Sequence, residues 1–464
     1  MLVKSTDSST LFRRLRRLSV PIMLTNLLQM TYNLVDSWFL GRIGAEALSA
    51  PALSFSFIMF LSVFGTGFSM AGTTLVSQSY GSDQADRVNF YASQTVTIVG
   101  SIGIIVGIAG IFLAAPLLRL LQAPPAAFDY ARVYMQIIFA GIPFMFFFFI
   151  MQSMMHALGD SVTPLKIQLV TIVVNILLDP IFIFGWGPVP AMEVAGAATA
   201  TVISRFIAAV LAVFVLLRGH HGVRVQRRYL RPDRTALRQF LNIGLPNSLG
   251  QGISALGFTV LQRVVNSFGV PVVAAFGVAN RITGLFSMPA TGLSKATASL
   301  VGHELGADRP DEARRVVRLS VLSMLVIIVR LMAFTFFFGN TLVRFFVNDP
   351  EVIAHGAVLF RIVSVSIIPF TLFTVSNGAF EGGGVTRPVM VLNIFRLWGI
   401  RVPLAMWLSS LPALGATGIW IAMFISNIVT ATLGFLWLRR GTWLRKISLA
   451  PSTTPLNHPA APLS

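Results

Sequence analysis

Residues 62–86, SVFGTGFSMAGTTLVSQSYGSDQAD, and residues 287–311, SMPATGLSKATASLVGHELGADRPD, are two versions of one segment. Thr66, Gly67, Val76, Gly81, Asp83 and Asp86 in the first meet Thr291, Gly292, Val301, Gly306, Asp308 and Asp311 in the second, always 225 positions on. Upstream, the same offset carries Pro21 to Pro246, Gly44 to Gly269 and Ala50 to Ala275. Nine ungapped matches at one offset, across about 65 residues, mark an internal duplication.

The sequence around these segments is apolar. Of 464 residues, 55% are hydrophobic and 11% charged, and the mean hydropathy is +0.77. A soluble domain carries roughly 25% charged residues. The apolar runs exceed the roughly 20 residues that a helix needs to cross a bilayer. They divide into twelve spans, near 18–40, 47–76, 88–116, 130–155, 164–186 and 194–217 in the first half. In the second half they lie near 239–266, 273–301, 316–338, 352–379, 388–409 and 415–438. The expected fold is all-α: a polytopic membrane protein with twelve transmembrane helices in two six-helix lobes. Six crossings per half is an even number, so both halves enter the membrane in the same sense, as parallel repeats about an axis along its normal. The expected organisation is a segment at 1–17, a first lobe at 18–217, an inter-lobe loop at 218–238, a second lobe at 239–438 and a tail at 439–464.

The net charge of +18 would suggest nucleic acid in a soluble chain. Here the basic residues follow the membrane instead. Arg13, Arg14, Arg16 and Arg17 precede span 1, and seven arginines from Arg218 to Arg238 fill the central loop. Arg314, Arg315 and Arg318 lie between spans 8 and 9, and Arg439, Arg440, Arg445 and Lys446 follow span 12. The opposite loops hold only scattered charges such as Arg42, Arg119 and Arg344. Cytoplasmic loops are enriched in Lys and Arg, which places both termini and the central loop in the cytoplasm. The expected partners are therefore membrane lipids and small organic molecules, without nucleic acid, and the expected state is a monomer in the cytoplasmic (inner) membrane. The apolar stretch after residue 17 runs on to Leu40, too long for a signal-peptide core, so the first helix is expected to stay as an anchor. There is no cysteine, which excludes disulfides and thiolate chemistry.

A carboxylate inside a membrane costs about 2.5–3.5 kcal/mol on insertion scales, so each one calls for a reason. Asp36 lies 19 residues beyond Arg17, about 28 Å along a helix. Asp179 lies 13 residues beyond Lys166, about 20 Å by the same rule. Both spans run outward, which takes both carboxylates to the outer half of the bilayer. Each also shares a helix face with polar residues: Asn26, Gln29 and Asn33 below Asp36, with Tyr32 beside them, and Gln168 and Asn175 below Asp179. Lipid cannot satisfy such stripes, so they face a cavity or another helix. An interfacial cap at Asp36 and a helix kink at Asp179-Pro180 are the structural alternatives. Matching depth and paired stripes favour a wet chamber whose acidic end takes a proton or a hard cation.

The second lobe lacks this pattern. Leu261 stands 225 residues beyond Asp36, Pro403 lies near the place of Asp179, and no carboxylate lies deep in spans 7, 8, 11 or 12. The charges within its spans are cationic, Lys295, Arg330, Arg361, Arg396 and Arg401, and snorkelling or pairing is expected of those near span ends. Arg205, one turn from Thr201 in span 6, is a possible partner for a first-lobe carboxylate. The Met and Phe abundance, such as Phe146 to Phe149, reads mainly as packing, with a few residues available to an adaptable apolar pocket. No P-loop, Rossmann, metalloprotease or serine-hydrolase motif is present, so neither an enzyme nor a cofactor is expected, and transport energy would come from an ion gradient.

Tyr32-Asn33-Leu34-Val35-Asp36, Asn175-Ile176-Leu177-Leu178-Asp179-Pro180, Gly196-Ala197-Ala198-Thr199-Ala200-Thr201 and Arg401-Val402-Pro403-Leu404-Ala405 resemble the MATE (multidrug and toxic compound extrusion) transporters of the MOP superfamily. Ala157-Leu158-Gly159-Asp160 with Thr163-Pro164 resembles that family's turn after span 4, and Gly382-Gly383-Gly384 with Thr386-Arg387-Pro388 is its weaker echo. The resemblance runs from about residue 12 to 440 and looks closest to the DinF-like and archaeal branch. It implies a cation or proton site at Asp36, Asn175, Asp179 and Thr201, with Thr199 the neighbouring candidate. If the coupling ion were Na⁺, Asp36, Asn175 and Asp179 would be its metal ligands. It also implies substrate contacts at Gln29 and Tyr32, which Asn33, Gln152 and Gln168 are expected to join, and a conformational kink at Pro21. His156, Glu381 and Val385 depart from the family pattern, and the second-lobe acidic site of the NorM branch has no counterpart near Gln251. The implied activity is antiport of small, often cationic, organic compounds against H⁺ or Na⁺ by alternating access, the two carboxylates titrating as one pair. The other reading is a flippase for a lipid-linked precursor, with Lys295, Arg396 and Arg401 holding a pyrophosphate.

Overall fold

A computed structural model describes residues 8–120, 122–219, 222–347 and 349–448. Residues 1–7 of the expected N-terminal segment, 220–221 of the central loop and 449–464 of the tail lie outside the described residues.

The described chain is helical throughout. The first half holds α1 (Ser8–Gly41), α2 (Ala45–Gly81), α3 (Ala85–Leu120), α4 (Pro125–Ala140), α5 (Ile142–Ala157), α6 (Val162–Phe184) and α7 (Glu193–Arg218). The second holds α8 (Arg234–Asn266), α9 (Val270–Gly306), α10 (Pro310–Phe346), α11 (Pro350–Gly382), α12 (Arg387–Ile394), a π-helical stretch at Phe395–Arg401, α13 (Val402–Ser410) and α14 (Thr417–Arg439).

The 225-residue repeat is geometric as well as chemical. Helices α2 and α9 are each 37 residues long and start and stop at equivalent positions. Gly44 and Gly269 precede them, with φ of 154° and 87°. Asp83 and Asp308 follow them in the left-handed region, at φ 56° and 57°. Asp is among the few side chains that tolerate that conformation, so one turn chemistry serves both copies. Element boundaries keep the offset well past Asp86, the last of those nine matches: α3 and α10, then α6 and the α12–α13 span, begin at equivalent residues.

Among the described residues, nine helices are long and apolar enough to cross a membrane, and α4 with α5 make a tenth, bent by 44°. The sequence predicts one straight span over 130–155. Pro143 accounts for the bend, since it has no N–H for the Phe139 carbonyl, and Gly141 turns the chain while donating to Ile137 and Ile138. Helices α1 and α8, the first of each half, complete the twelve. They are less apolar than the others because of Asn26, Gln29, Asn33 and Asp36 in one and Asn247, Gln251, Gln262 and Arg263 in the other. A helix polar on one stripe needs a polar neighbour. Span 11 is likewise interrupted: the π-helical stretch leads into Pro403, whose missing N–H leaves the Gly399 carbonyl without its helical partner.

The chain divides into two compact units, one of Leu24–Gly244 and the other of residues up to Met23 together with Leu245–Ile447. Both boundaries fall inside a helix, beside Pro21 in α1 and Pro246 in α8. In the first unit the central loop is held by α3. Gln94 donates at 2.7 Å to the carbonyls of both Tyr229 and Arg231. Asn89 and Ser93 accept from the backbone of Arg224 and Gln226 at 2.7 and 3.0 Å. In the second unit the glycine turn has a packing reason, since a Cβ at Gly383 would collide with the carbonyl of Trp443, itself buried.

Candidate functional site

The site grows from one cross-helix hydrogen bond. Gln168 on α6 donates to Gln29 on α1 at 3.0 Å. These are the fifth and first spans and run in the same direction, so the bond sets their register. Seven residues further along each helix, about 10 Å on, stand Asp36 and Asn175 at the same level. Asp179 lies one turn beyond Asn175, whose amide donates to its Oδ1 at 3.1 Å. Asp36 and Asp179 are near enough to act on each other's charge. Asn175 and Asp179 are fully buried, while Asp36 is half-buried.

Three oxygens are left over. Asp36 Oδ1, Asn175 Oδ1 and Asp179 Oδ2 are buried and have no hydrogen-bond partner. An unsatisfied buried acceptor costs about 1–3 kcal/mol, so each of the three calls for an occupant. Oxygen donors of this kind suit a proton or a hard cation. Among the described residues no group of three or more His, Cys, Asp or Glu is placed to hold a metal. A cation here would therefore use mixed carboxylate and amide oxygens. Pro180, next to Asp179, has no N–H for the Ile176 carbonyl one turn back.

Below this end lies a chamber of about 650 Å³, lined by Gln29, Tyr32, Asn33, Asp36, Gln168 and Thr201 among the residues singled out from sequence. Tyr32 and Thr201 share a hydrogen bond of 2.9 Å that ties α1 to α7. Thr199 instead returns its hydroxyl to the Ala195 carbonyl, so Thr201 is the threonine of the pair at the chamber. Gln152 is not among the lining residues, and Pro21 falls in the stretch of α1 that groups with the second unit. The approach of α7 to α6 depends on Gly196, where a Cβ would collide with the Phe182 carbonyl. Asp160 starts α6 by accepting from the backbone N–H of Val162 and Thr163 at 2.8 and 3.1 Å and from the Thr163 hydroxyl at 2.5 Å.

Sequence reasoning passed over part of the lining. Tyr134, Met59 and Met145, which it did not single out, supply apolar walls beside Phe148 and Phe149 of the phenylalanine run that it did. Their types are common in any apolar helix, although Tyr134 is one of only six tyrosines. Arg205 also lines the chamber, within electrostatic range of Asp36 but without an ion pair to it. In the second unit three of the basic residues singled out from sequence have internal companions, while Arg330 and Arg361 are exposed. Arg401 donates to Ser426 and Asn427 at 2.9 and 2.5 Å. Arg396 lies over Phe370 and reaches Asn393 at 3.3 Å. Lys295 lies within electrostatic range of Glu381, which accepts from Asn247 at 3.3 Å.

The MatE family model matches residues 21–181 and again 246–407, one copy in each half of the repeat. The chain belongs to the MatE family. Relatives of this MatE chain include the "Probable multidrug resistance protein YpnP" of Bacillus subtilis, 30% identical over 92% of this chain and 94% of that one. The "Probable multidrug resistance protein NorM" of Thermotoga maritima is 26% identical over 94% of each chain. A solved structure described as the "Outward-facing conformation of a multidrug resistance MATE family transporter of the MOP superfamily" superposes with a TM-score of 0.87. It is 26% identical and covers 96% of this chain and all of that one. The fold is thus the twelve-helix MATE fold, and the protein is a multi-pass membrane transporter.

Proposed function

We propose that this MatE chain exports small organic compounds from the cytoplasm, driven by inward flow of H⁺ or Na⁺, with both termini on the cytoplasmic face. The observation that carries the reading is the set of three unpartnered oxygens on Asp36, Asn175 and Asp179, of which Asp36 lines a chamber large enough for an organic molecule while Asn175 and Asp179 lie outside its lining. A cation taken at these oxygens neutralises charge between α1 and α6 and alters what the chamber attracts. It drives transport to the extent that it binds the two access states unequally. Residues Asp36 and Asp179 act as the acceptors, Asn175 orients Asp179, and Thr201 with Tyr32 links the change to α7. The multidrug names of the relatives support a substrate range set by an adaptable wall, which the methionines and phenylalanines of the chamber provide.

The test is dye export from proteoliposomes under an imposed pH gradient and, separately, an imposed Na⁺ gradient. One of the two should drive export in the native protein, and Asp36→Asn should abolish that drive while leaving folding intact. Undiminished gradient-driven export in Asp36→Asn would overturn the proposal.

A further inference from the structure

We infer that the chamber of the first unit takes zwitterionic aromatic compounds, with Arg205 as the residue that pairs with their carboxylate or comparable anionic group. The inference rests on the chamber being the transport site and names its substrate class.

Arg205 sits one turn beyond Thr201 on α7, as Asp36 sits one turn beyond Tyr32 on α1. These helices are the sixth and first spans and run in opposite directions. From the Tyr32–Thr201 hydrogen bond, Asp36 therefore lies outward and Arg205 inward. Four residues each way place their Cα atoms about 12 Å apart along the membrane normal. Helical side chains lean toward the N-terminus of their own helix, so both charged groups reach back toward the bond between them.

Both charges line the chamber, and neither is spent on the other. Arg205 Nη1 and Asp36 Oδ1 are each buried without a hydrogen-bond partner, and no ion pair joins them. An opposite pair in low dielectric would ordinarily close up, and a charged donor left bare is costly. Two open charges of opposite sign in one cavity are complementary to a ligand carrying both. A guanidinium takes a carboxylate through two parallel N–H bonds, which fixes the ligand's direction. The Asp36 end receives its cationic group, and Phe148, Phe149 and Met59 receive the aromatic body between. A chamber with carboxylates alone would favour simple cations, and Arg205 shifts that preference.

Rhodamine 110 and rhodamine 123 share one aromatic cationic body and differ in a single group, a free carboxylate in the first and its methyl ester in the second. Binding of each to the purified full-length protein is read by fluorescence anisotropy. The native chain should bind the acid at least tenfold more tightly than the ester, and Arg205→Met should erase that preference while holding or improving the ester's affinity. Arg205→Lys should restore part of it. Equal affinity for acid and ester in the native protein would overturn the inference without need of any variant, as would a preference that survives Arg205→Met. Export assays with the same dyes separate this from the transport reading. If no gradient moves either dye while the preference and its loss hold, the transport reading fails alone. If export proceeds while acid and ester bind alike, only the Arg205 assignment fails.

Discussion

At the scale of single residues, Asn175 within α6 and Asp160 just ahead of it show how differently two polar side chains act. Asn175 has one amide hydrogen committed to Asp179 and one buried oxygen unspent. Removing it leaves both carboxylates present but unoriented. Asn175→Ala should therefore raise the concentration of coupling ion needed for half-maximal drive by about tenfold or more, as loss of an orienting partner does at ion sites. Substrate affinity measured at saturating ion should stay within about twofold; an unchanged ion requirement would count against the role. Asp160 serves folding instead, since its carboxylate satisfies two free N–H groups at the start of α6. Asp160→Ala should cost about 1–2 kcal/mol, seen as a lowered thermal midpoint in detergent, and Asp160→Asn should keep most of it. The repeat supplies a control, for Val385 stands at the equivalent position and α12 begins with no side-chain cap. The two aspartates of the site were legible because a carboxylate in an apolar run is costly enough to stand out. Arg205 was legible as a charge but not as a chamber wall. Its neighbours Phe206 and Ile207 give no sign of which face is wet, and only the Tyr32–Thr201 contact shows it.

At the scale of helices, the site exists because α7 comes close to α6, and Gly196 sets that distance. Even the smallest side chain there meets the Phe182 carbonyl, a backbone atom with nowhere to go. Gly196→Val should push the helices apart, part the Tyr32–Thr201 bond and lower the yield of monodisperse protein. Gly196→Ala should show a milder fall in thermal midpoint of several degrees. Gly41, with open space around its missing Cβ, offers the contrast, and Gly41→Ala should change neither. Helix number and order were readable because apolar runs of span length have few alternative structures. The breaks were not read, although Pro143 and Pro403 were visible. Proline inside a membrane helix has three outcomes: a gentle kink, a 44° break as at Gly141, or a π-helical stretch as before Pro403. Which one occurs depends on packing, such as the crowding of Gly107 by the Phe139 carbonyl and Pro143, that no local pattern contains.

At the scale of the whole molecule, a duplicated order of spans carries an unequal distribution of charge. The position equivalent to Asp36 is Leu261, fully buried, and the position equivalent to Thr201 is Ser426. Ser426 accepts a hydrogen bond from Arg401, so the second unit holds a fixed cation at a position whose counterpart in the first, Thr201, bonds the neutral Tyr32. Arg401 is 5% exposed and held by two side chains, and Asn427 is held in turn by Ser366 at 2.8 Å. A charge so anchored has no low-cost second arrangement, which suits a scaffold better than a switch. The remaining candidates for ion traffic there are Lys295 and Glu381, opposite charges within range of each other. Their joint neutralisation removes a pair rather than a net charge, so the unit's electrostatics change little. Lys295→Met combined with Glu381→Gln should therefore leave the ratio of ions moved per substrate unchanged, although turnover falls. The ratio is read in proteoliposomes as the membrane potential at which export reverses. Asp36→Asn should abolish gradient-driven movement altogether, and no reversal should then be found. A ratio that drops by one ion in the double variant would place a second coupling site in the second unit and end the single-site account.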